Sequence, residues 1–356
     1  MKIVFVTATL TSGGSERVIS LLANELINRG YDVSIVLLQD PIVFYPLNEK
    51  IEVVCAQNHT KTIIGKLFWL RRYIQQSSTS VVIPFMTAVY CTTILALLGL
   101  KYPIISSERI DPRHSSTIRK ILRWMLLRFT THLVVQTKEI KDFYSKDIQL
   151  KTSIIANPVS ENVFHVSNNN TKEKRIVSVG RLYKQKNQLL MIDAFSDIAS
   201  KYSDYTLVIY GDGPLREMLT QHICKLGLQD RVYLPGKSDH IIDELYKSEI
   251  FCMSSNYEGM SNALLEAVCV GLPIVTTRVS GVDDMLTNGE NALITKPMSR
   301  TDMADALDKI LGDNYLRDKF SKNNIKLASK YRLDNIATEW EELIKKITRN
   351  DNSTEC

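Results

Sequence analysis

Short apolar runs alternate with amphipathic helical patterns along almost the whole chain. In the first half, the runs that predict strands occupy residues 2–8, 31–38, 51–55, 80–84, 104–107, 132–136 and 152–156. In the second half they occupy residues 175–179, 206–210, 232–234, 249–254, 274–276 and 292–294. Strands that alternate with helices are typical of parallel α/β sheets, because a helix must connect each strand to the next. The pattern therefore predicts an α/β protein with two Rossmann-like halves.

The alternation is interrupted at Asn157-Pro158 and again in the polar run SNNNTKEK at residues 167–174. Polar runs and proline dipeptides are typical of linkers. We place the domain boundary there, which gives a first domain at residues 1–160 and a second at residues 161–333. A closing helix and tail then occupy residues 334–356.

One stretch, EIFCMSSNYEGMSNALLEAVCVGLPIVTT at residues 249–277, carries the clearest candidate chemistry. Its pattern predicts a strand, a turn, a helix over residues 262–270 with Ser261 as N-cap and Gly271 as its stop, and a second strand. Glu258 lies in the turn and Glu266 lies in the helix. The backbone N–H groups of Met260, Ser261 and Asn262 would form an anion site at the helix N-terminus. Amides for phosphate and carboxylates for hydroxyls together suit a nucleotide sugar.

Two further loops at predicted strand ends contain glycine beside polar residues. In VSVGRLYKQKN, Arg181 and Lys186 follow a strand and would hold the two phosphates of a diphosphate; ordinary solvated surface charge is the alternative. In TSGGSER, Gly13 and Gly14 would let backbone amides approach a phosphate or an acceptor, or would serve only a tight turn. The second loop lacks the G-x-G-x-x-G spacing of dinucleotide sites.

The composition is that of a globular protein, with 44% hydrophobic and 23% charged residues. The six cysteines form no C-x-x-C pair, so a zinc site or a disulfide framework is not expected. The opening apolar run is too short for a secretory signal, and the apolar run at residues 92–100 is too short to span a bilayer. We therefore expect a cytoplasmic protein that is soluble or peripheral to a membrane.

The first 150 residues are basic, with 18 lysines and arginines against 11 acids. Helical patterns at residues 62–74 and 117–129 place basic residues beside large apolar ones. In the second helix we predict an exposed basic face containing Arg119, Lys120 and Arg123, and a buried face formed by Ile118, Ile121, Leu122, Met125 and Phe129. In the first, Phe68 lies beside Arg71 and Arg72. Such faces suit an anionic membrane surface, and a plain solvated face is the alternative. They do not suit a nucleic-acid recognition module.

Taken together, ATLTSGGSERV, VGRLYKQKN, IYGDGPLRE, LPGKSD and SSNYEGMSNALLEAVCVGLPIVTT resemble the family-four retaining glycosyltransferases of the GT-B fold. The resemblance is strongest to bacterial enzymes that extend lipid-linked oligosaccharides for O-antigen, capsule or N-glycan assembly. It implies two Rossmann-like domains that face each other across a cleft, with a C-terminal helix that crosses back to the first domain. It covers nearly the whole chain.

The resemblance also implies residue roles. Glu266 would bind the ribose and Glu258 the donor sugar, while Arg181 and Lys186 would hold the diphosphate with help from the amides of Met260, Ser261 and Asn262. Gly14 would approach the phosphate or the acceptor, and the backbone of Lys237 and Ser238 would lie near the base. Many relatives carry a histidine after the strand at residues 104–107. Glu108 and Arg109 stand there in this chain, so one of them must take over its role or the role is not needed.

The activity so implied is a retaining transfer from a nucleotide sugar to an undecaprenyl-diphosphate-linked saccharide at the inner face of the inner membrane. The favoured donors are UDP-N-acetylgalactosamine, UDP-galactose and UDP-N-acetylglucosamine, in that order. No cofactor or metal is expected, because the sequence contains no D-x-D motif. A nucleotide-sugar epimerase of the same fold and a non-catalytic sugar-binding protein remain the alternatives.

Overall fold

The computed structural model describes residues 1–164 and 172–352, with the side chains of 350–352 left out. Contacts divide the chain into two compact units, one formed by Met1–Pro158 with Leu333–Cys356 and the other by Val159–Arg332. Of the polar run at 167–174, residues 167–171 lie outside the described residues.

The first unit alternates strands and helices in the order predicted. Its elements are β1 (Lys2–Thr7), α1 (Gly14–Asn28), β2 (Asp32–Leu37), β3 (Glu52–Cys55), α2 (Ile63–Gln76), β4 (Val81–Pro84), α3 (Thr87–Leu97), β5 (Ile105–Ser107), α4 (Thr117–Leu126), β6 (His132–Val135), α5 (Lys138–Asp142), α6 (Lys146–Leu150) and β7 (Thr152–Ile154).

All strand pairs of the first unit are parallel. Four strands lie in the order β3-β2-β1-β4 and three in the order β5-β6-β7. Parallel bridges from Val82 to Ile104 and from Phe85 to Ser107 join the two groups at β4 and β5. Because the strands are parallel, the loops that follow them meet at one edge, where α/β sheets bind ligands.

The second unit is built in the same way. Its elements are β8 (Glu173–Val179), α7 (Gln188–Ile198), β9 (Thr206–Tyr210), α8 (Arg216–Lys225), β10 (Val232–Gly236), α9 (Ile241–Lys247), β11 (Ser248–Met253), α10 (Asn262–Val270), β12 (Ile274–Thr277), α11 (Val282–Met285), β13 (Ala292–Thr295), α12 (Arg300–Gly312) and α13 (Asn314–Ala328). Its parallel sheet has the order β10-β9-β8-β11-β12-β13. The central strands are almost wholly buried, as expected for a parallel sheet covered by helices on both faces.

The last helix, α14 (Leu333–Asn352), belongs by its contacts to the first unit. Trp340 is 1% exposed and stacks on Phe85, with ring centroids 6.1 Å apart. Arg29 of α1 donates to Glu341 at 2.9 Å and also pairs with Asp334. The prediction that the closing helix returns to the first domain is therefore confirmed.

Candidate functional site

The loop between β11 and α10 forms as the sequence predicts. Ser261 caps α10 by accepting a hydrogen bond from the N–H of Leu264 at 3.4 Å, and Gly271 ends the helix with φ +79°. Only glycine takes that left-handed conformation at little cost. Glu258, in the loop that follows β11 at the carboxyl edge of the second sheet, is 7% exposed, and Glu266, inside α10, is 4% exposed. A buried carboxylate requires partners.

Glu258 is held by three side chains. Lys186 Nζ lies 2.7 Å from Glu258 Oε1, and Ser255 Oγ donates to the same oxygen at 2.8 Å. Gln185 Nε2 donates to the other oxygen at 3.3 Å. The structure thus brings together Lys186 and Glu258, two residues that the sequence predicts for one site. A charge-assisted pair at this distance fixes the positions of both groups.

A network of hydrogen bonds ties the loop after β8 to the loop after β11. The N–H of Asn256 donates to the carbonyl of Gln185 at 2.8 Å, and Asn187 Nδ2 donates to Asn256 Oδ1 at 3.0 Å. Ser254 Oγ donates to the carbonyls of Lys186 and Asn187 at 3.0 and 2.9 Å. The loops that carry Lys186 and Glu258 therefore form one rigid surface.

Sequence reasoning did not identify the residues that build this surface. Gln185 directly precedes Lys186, but its amide acts on Tyr257 and Glu258 in a loop about 70 positions away. Ser255 lies only three positions before Glu258 and contacts it within the same loop. The sequence contained one local signal, the asparagine at position 187. Asn187 adopts a left-handed backbone conformation with φ +46°, and asparagine is enriched in that conformation.

Glycines allow the neighbouring loops to approach closely. A Cβ on Gly211 would lie 2.0 Å from the carbonyl oxygen of Gly180, and one on Gly213 would lie 2.5 Å from that of Leu182. A Cβ on Gly180 would lie 3.1 Å from Lys186 Cε. The glycines of the YGDGP turn are thus required by close packing beneath the site, which accounts for them without a direct ligand contact.

The other predicted donor residues of the second unit also follow its strands. Arg181, directly after Gly180, is exposed, and its guanidinium lies 5.3 Å from the ring centre of Tyr183. Lys237 is exposed after β10, where Ser238 Oγ accepts the N–H of His240 at 3.1 Å. β10, β8 and β11 lie within one sheet, so these residues share its carboxyl edge with Glu258.

Gly14 is the first residue of α1 in the other unit, and an acid lies beside it. Glu16 folds back so that a Cβ on Gly13 would be 2.1 Å from its Oε2. Ser15 Oγ donates to that oxygen at 2.7 Å. A carboxylate at this helix N-terminus opposes the binding of a phosphate there, so the acceptor hydroxyls are the more suitable ligand for this loop.

The predicted faces of α4 are wrong. Ile118, Ile121 and Met125, predicted to be buried, are 71%, 52% and 41% exposed, whereas Arg123, predicted to be exposed, is buried. Arg123 Nε lies 3.1 Å from Glu108 Oε2, and Tyr90 and Thr87 also donate to Glu108. Burial lowers the pKa of Arg123, but the charge of Glu108, the nearby hydroxyls of Tyr90 and Tyr144 and the hydrogen bond to Tyr90 together outweigh this, so the pKa is raised. An ion pair with the buried Glu108 thus decides which face of α4 turns inward.

The remaining basic residues predicted for the membrane side are exposed: Arg119 and Lys120 of α4 and Arg72 of α2. Large apolar side chains of the same unit are exposed as well, among them Ile42, Phe44, Ile63, Ile64 and Phe68, together with Ile118, Ile121, Trp124 and Phe129. Arg128 covers Trp124 at 5.0 Å. No helix in residues 1–164 and 172–352 has the length and apolarity to cross a bilayer.

Arg109 is 7% exposed and is therefore buried like Arg123, whereas Arg72, Arg119 and Lys120 are exposed. Its Nε donates to Ser107 Oγ and its Nη1 to Asn157 Oδ1, both at 2.8 Å. Glu108 is fully occupied by the α4 ion pair. Of the two residues that stand where a histidine was expected, only Arg109 keeps a donor atom without a partner, Nη2.

Two family profiles match successive parts of the chain. The profile described as Glycosyltransferase Family 4 matches residues 12–163, and that described as Glycosyl transferases group 1 matches residues 159–327. The two matches overlap only at the boundary between the two compact units.

Two relatives from Campylobacter jejuni are similar over most of their length. One, a "GalNAc-alpha-(1->4)-GalNAc-alpha-(1->3)-diNAcBac-PP-undecaprenol alpha-1,4-N-acetyl-D-galactosaminyltransferase", is 26% identical over 98% of this chain and 99% of its own. The other, an "N-acetylgalactosamine-N,N'-diacetylbacillosaminyl-diphospho-undecaprenol 4-alpha-N-acetylgalactosaminyltransferase", is 25% identical over 90% of this chain and 93% of its own.

Solved structures with the same fold are more distant in sequence. Sucrose-phosphate synthase from Thermosynechococcus elongatus superposes with a TM-score of 0.85 at 13% identity, covering 98% of this chain and 100% of its own. Anabaena Alr3699/HepE in complex with UDP has a TM-score of 0.81 at 17% identity, covering 97% of this chain and 100% of its own. These likenesses show the GT-B fold.

Proposed function

Because this chain belongs to the glycosyltransferases of family 4, we propose that it transfers a sugar from a UDP-sugar to a saccharide linked to a lipid diphosphate. The observation that carries the proposal is a pair of buried carboxylates eight residues apart, Glu258 and Glu266, the first of which is paired with Lys186 at the sheet edge. Carboxylates accept hydrogen bonds from sugar hydroxyls, and a fixed ammonium group binds phosphate. A nucleotide sugar is the ligand that needs both.

In this proposal the residues of the second unit divide the donor between them. Glu266 accepts from the ribose hydroxyls, Glu258 accepts from the sugar hydroxyls, and the backbone near Lys237 and Ser238 contacts the base. Lys186 and Arg181 hold the diphosphate. The N–H groups of Met260, Ser261 and Asn262, at the start of α10, add partial positive charge.

Lys186 already has a partner before the donor arrives. Its ion pair with Glu258 holds the ammonium group at the sheet edge, where a phosphate oxygen then becomes a second acceptor. An ammonium has three N–H donors, so it retains its bond to Glu258 while it binds phosphate. Lys186 is therefore preorganised and need not be drawn from solvent when charge develops on the diphosphate.

The proposed reaction proceeds with retention and without a metal. The bond between the anomeric carbon and the phosphate oxygen breaks, and the acceptor hydroxyl attacks from the same face. The departing phosphate takes the proton of that hydroxyl. Lys186, Arg181 and the α10 N-terminus stabilise the negative charge that grows on the leaving diphosphate. The missing D-x-D motif in the sequence supports a mechanism in which these groups replace a cation.

N-acetylgalactosamine is the first donor sugar we propose, followed by galactose and N-acetylglucosamine, all forming α-linkages. The support is the names of the two Campylobacter jejuni relatives, both α-N-acetylgalactosaminyltransferases with undecaprenol-linked substrates. By the same support the acceptor carries undecaprenyl diphosphate, and the pathway is bacterial surface polysaccharide synthesis.

A lipid-linked acceptor calls for a membrane-facing surface, and we place it on the first unit. Exposed apolar side chains follow β2 (Ile42 and Phe44) and occupy the first turns of α2 (Ile63 and Ile64) and of α4 (Ile118). All these segments follow parallel strands, so they belong to the carboxyl edge of that sheet. Arg72, Arg119 and Lys120 add positive charge. Peripheral binding to the anionic inner face of the inner membrane is the proposed location.

The test is nucleotide release over a panel of UDP-, GDP- and dTDP-sugars, with and without an undecaprenyl-diphosphate-linked saccharide and with EDTA throughout. We expect release from one UDP-sugar only, and only when the lipid acceptor is present. Release without acceptor together with an isomerised sugar would show an epimerase. Absence of turnover with every pair would contradict the proposal.

A further inference from the structure

Arg109 is a buried cation whose charge no acid neutralises. It follows β5 at the carboxyl edge of the first sheet, and in the part of the chain that the structure describes its guanidinium forms no ion pair. The adjacent acid, Glu108, is paired with Arg123. Burial lowers the pKa of Arg109 to about 9, although the charge of Glu108 opposes this. A buried charge without a counter-charge destabilises the folded protein, so such residues require a functional explanation.

Unsatisfied polar atoms cluster around this guanidinium. Arg109 Nη2, Gln136 Oε1 and Trp340 Nε1 are buried without a hydrogen-bond partner. Trp340 and Phe85 lie 5.7 and 4.6 Å from Arg109 Cζ, and Gln136 donates to the same oxygen of Asn157 that accepts from Arg109. Three of the five unsatisfied buried side-chain atoms of the described residues are thus placed around one cation. Native proteins keep few such atoms, and clusters of them indicate a missing ligand or water.

The backbone between β4 and α3 also has an unusual conformation. Met86 has φ +78° and ψ 147°, a region that residues other than glycine rarely adopt, and its N–H donates to the carbonyl of Ser107 at 2.9 Å. Met86 follows Phe85, which stacks under Arg109. Strained backbone of this kind is retained where the surroundings demand it, commonly at ligand sites.

We propose that Arg109, with Trp340 of the C-terminal helix, binds a phosphate group of a substrate. Arg109 Nη2 and Trp340 Nε1 both donate, which suits an anionic oxygen, and the charge of the phosphate completes the ion pair that Arg109 lacks. A buried water could satisfy the same donors, but it carries no charge and would leave the guanidinium uncompensated. This inference rests on the proposed function only for the identity of the substrate.

The site is nearly closed and lies just beneath the surface. Arg109 is 7% exposed, and the next residue, Ile110, is 39% exposed. Binding of a phosphate to the buried Nη2 therefore requires the side chains that cover it to move. Two substrates could supply the phosphate, the nucleotide sugar and the lipid diphosphate. Because the residue follows a strand of the first sheet, beside the apolar edge described above, the lipid diphosphate is the source we favour.

The test compares UDP and farnesyl diphosphate as probes, with binding measured by calorimetry to the full-length protein. Arg109→Met keeps the length of the side chain and its apolar packing, but it removes the positive charge and the N–H donors of the guanidinium. We expect the affinity for farnesyl diphosphate to fall about tenfold or more, since a charge-assisted hydrogen bond is lost, and UDP binding to stay unchanged. The reverse pattern would assign the phosphate to the donor. Lys101→Met, at the exposed approach to β5, controls for the loss of one positive charge.

Two further measurements test the same inference, the binding affinity of a Trp340 variant and the thermal stability of Arg109→Met. Trp340→Phe keeps the aromatic stacking but loses the N–H donor, so it should weaken the binding of farnesyl diphosphate by a smaller factor than Arg109→Met. This second variant keeps the proposal testable if Arg109→Met does not fold. Arg109→Met removes a destabilising uncompensated charge but also removes two buried hydrogen bonds, to Ser107 and Asn157, so the melting temperature of the ligand-free protein should stay about unchanged. Unchanged affinity for both probes in the folded variants, or a purely thermal defect, would overturn the inference. Absence of sugar transfer by the wild-type protein would instead contradict the proposed function.

Discussion

Glu258 and Lys186 show how one ion pair prepares a site for a ligand that carries both hydroxyls and phosphate. Their bond of 2.7 Å, together with the hydrogen bond from Ser255, keeps the carboxylate oriented and the ammonium group in place. Each residue is therefore placed by the other. This coupling means that removing either one also disturbs its partner.

At this scale we predict that Lys186→Ala and Glu266→Ala each lose most of their transfer activity while remaining folded. Lys186→Ala removes a cation that stabilises the leaving group, and rate losses of about 10²-fold or more are typical of such groups. Glu266→Ala removes the ribose contact, so it should weaken UDP binding as well. Steady-state kinetics with circular dichroism as the folding check gives the answer. A fully active Glu266→Ala would refute its assigned role.

The residues that the sequence identified are those whose chemistry depends on local spacing. Glu258, Ser261, Glu266 and Gly271 lie within one strand-turn-helix unit, where helix capping and strand ends can be recognised from neighbouring residues. Arg123 was misplaced because its partner, Glu108, lies 15 positions away in a different element. Burial of an ion pair is a tertiary event that the periodicity of one helix does not encode.

At the scale of elements, α4 is the clearest case of a helix whose orientation is set by one buried residue. Arg123 donates to Thr87 and Ser115 at 2.9 Å as well as to Glu108, which fixes the helix against the start of α3. With that face turned inward, Ile118, Ile121 and Trp124 face solvent. Exposed apolar side chains on a regular helix favour insertion into a bilayer surface over purely electrostatic adsorption.

We therefore predict that the protein sediments with anionic vesicles and that the apolar residues of α4 contribute most of the binding. Replacement of Ile118, Ile121 and Trp124 by serine should weaken partitioning about tenfold or more. Charge reversal at Arg119 and Lys120 should have a smaller effect that disappears at high salt.

Leu150→Ser is the matched control, because Leu150 is 89% exposed at the end of α6 rather than in the first turn of a helix that follows a strand. It should leave partitioning unchanged. Failure of the wild-type protein to sediment with anionic vesicles, or equal effects of the control and the α4 variant, would exclude the membrane role of this helix.

For the whole molecule, the alternation of strands and helices was sufficient to predict two parallel α/β units, because each buried strand carries a continuous apolar run. The return of α14 to the first unit could not be derived from periodicity and came from the resemblance to the family. Its physical basis is visible in the structure, where Trp340 packs against Phe85 and Arg29 pairs with Glu341. Contacts between the ends of a chain leave no local signal.

The measurement that tests the central claim most directly is NMR of the product formed from the active UDP-sugar and the lipid-linked acceptor. The coupling constant of the new anomeric proton reports whether the configuration of the donor is kept. The account predicts a lipid-linked product with retained, α-configured linkage, formed in the presence of EDTA. An inverted linkage would contradict the same-face mechanism, and a free isomerised sugar in place of a lipid-linked product would contradict the transfer itself.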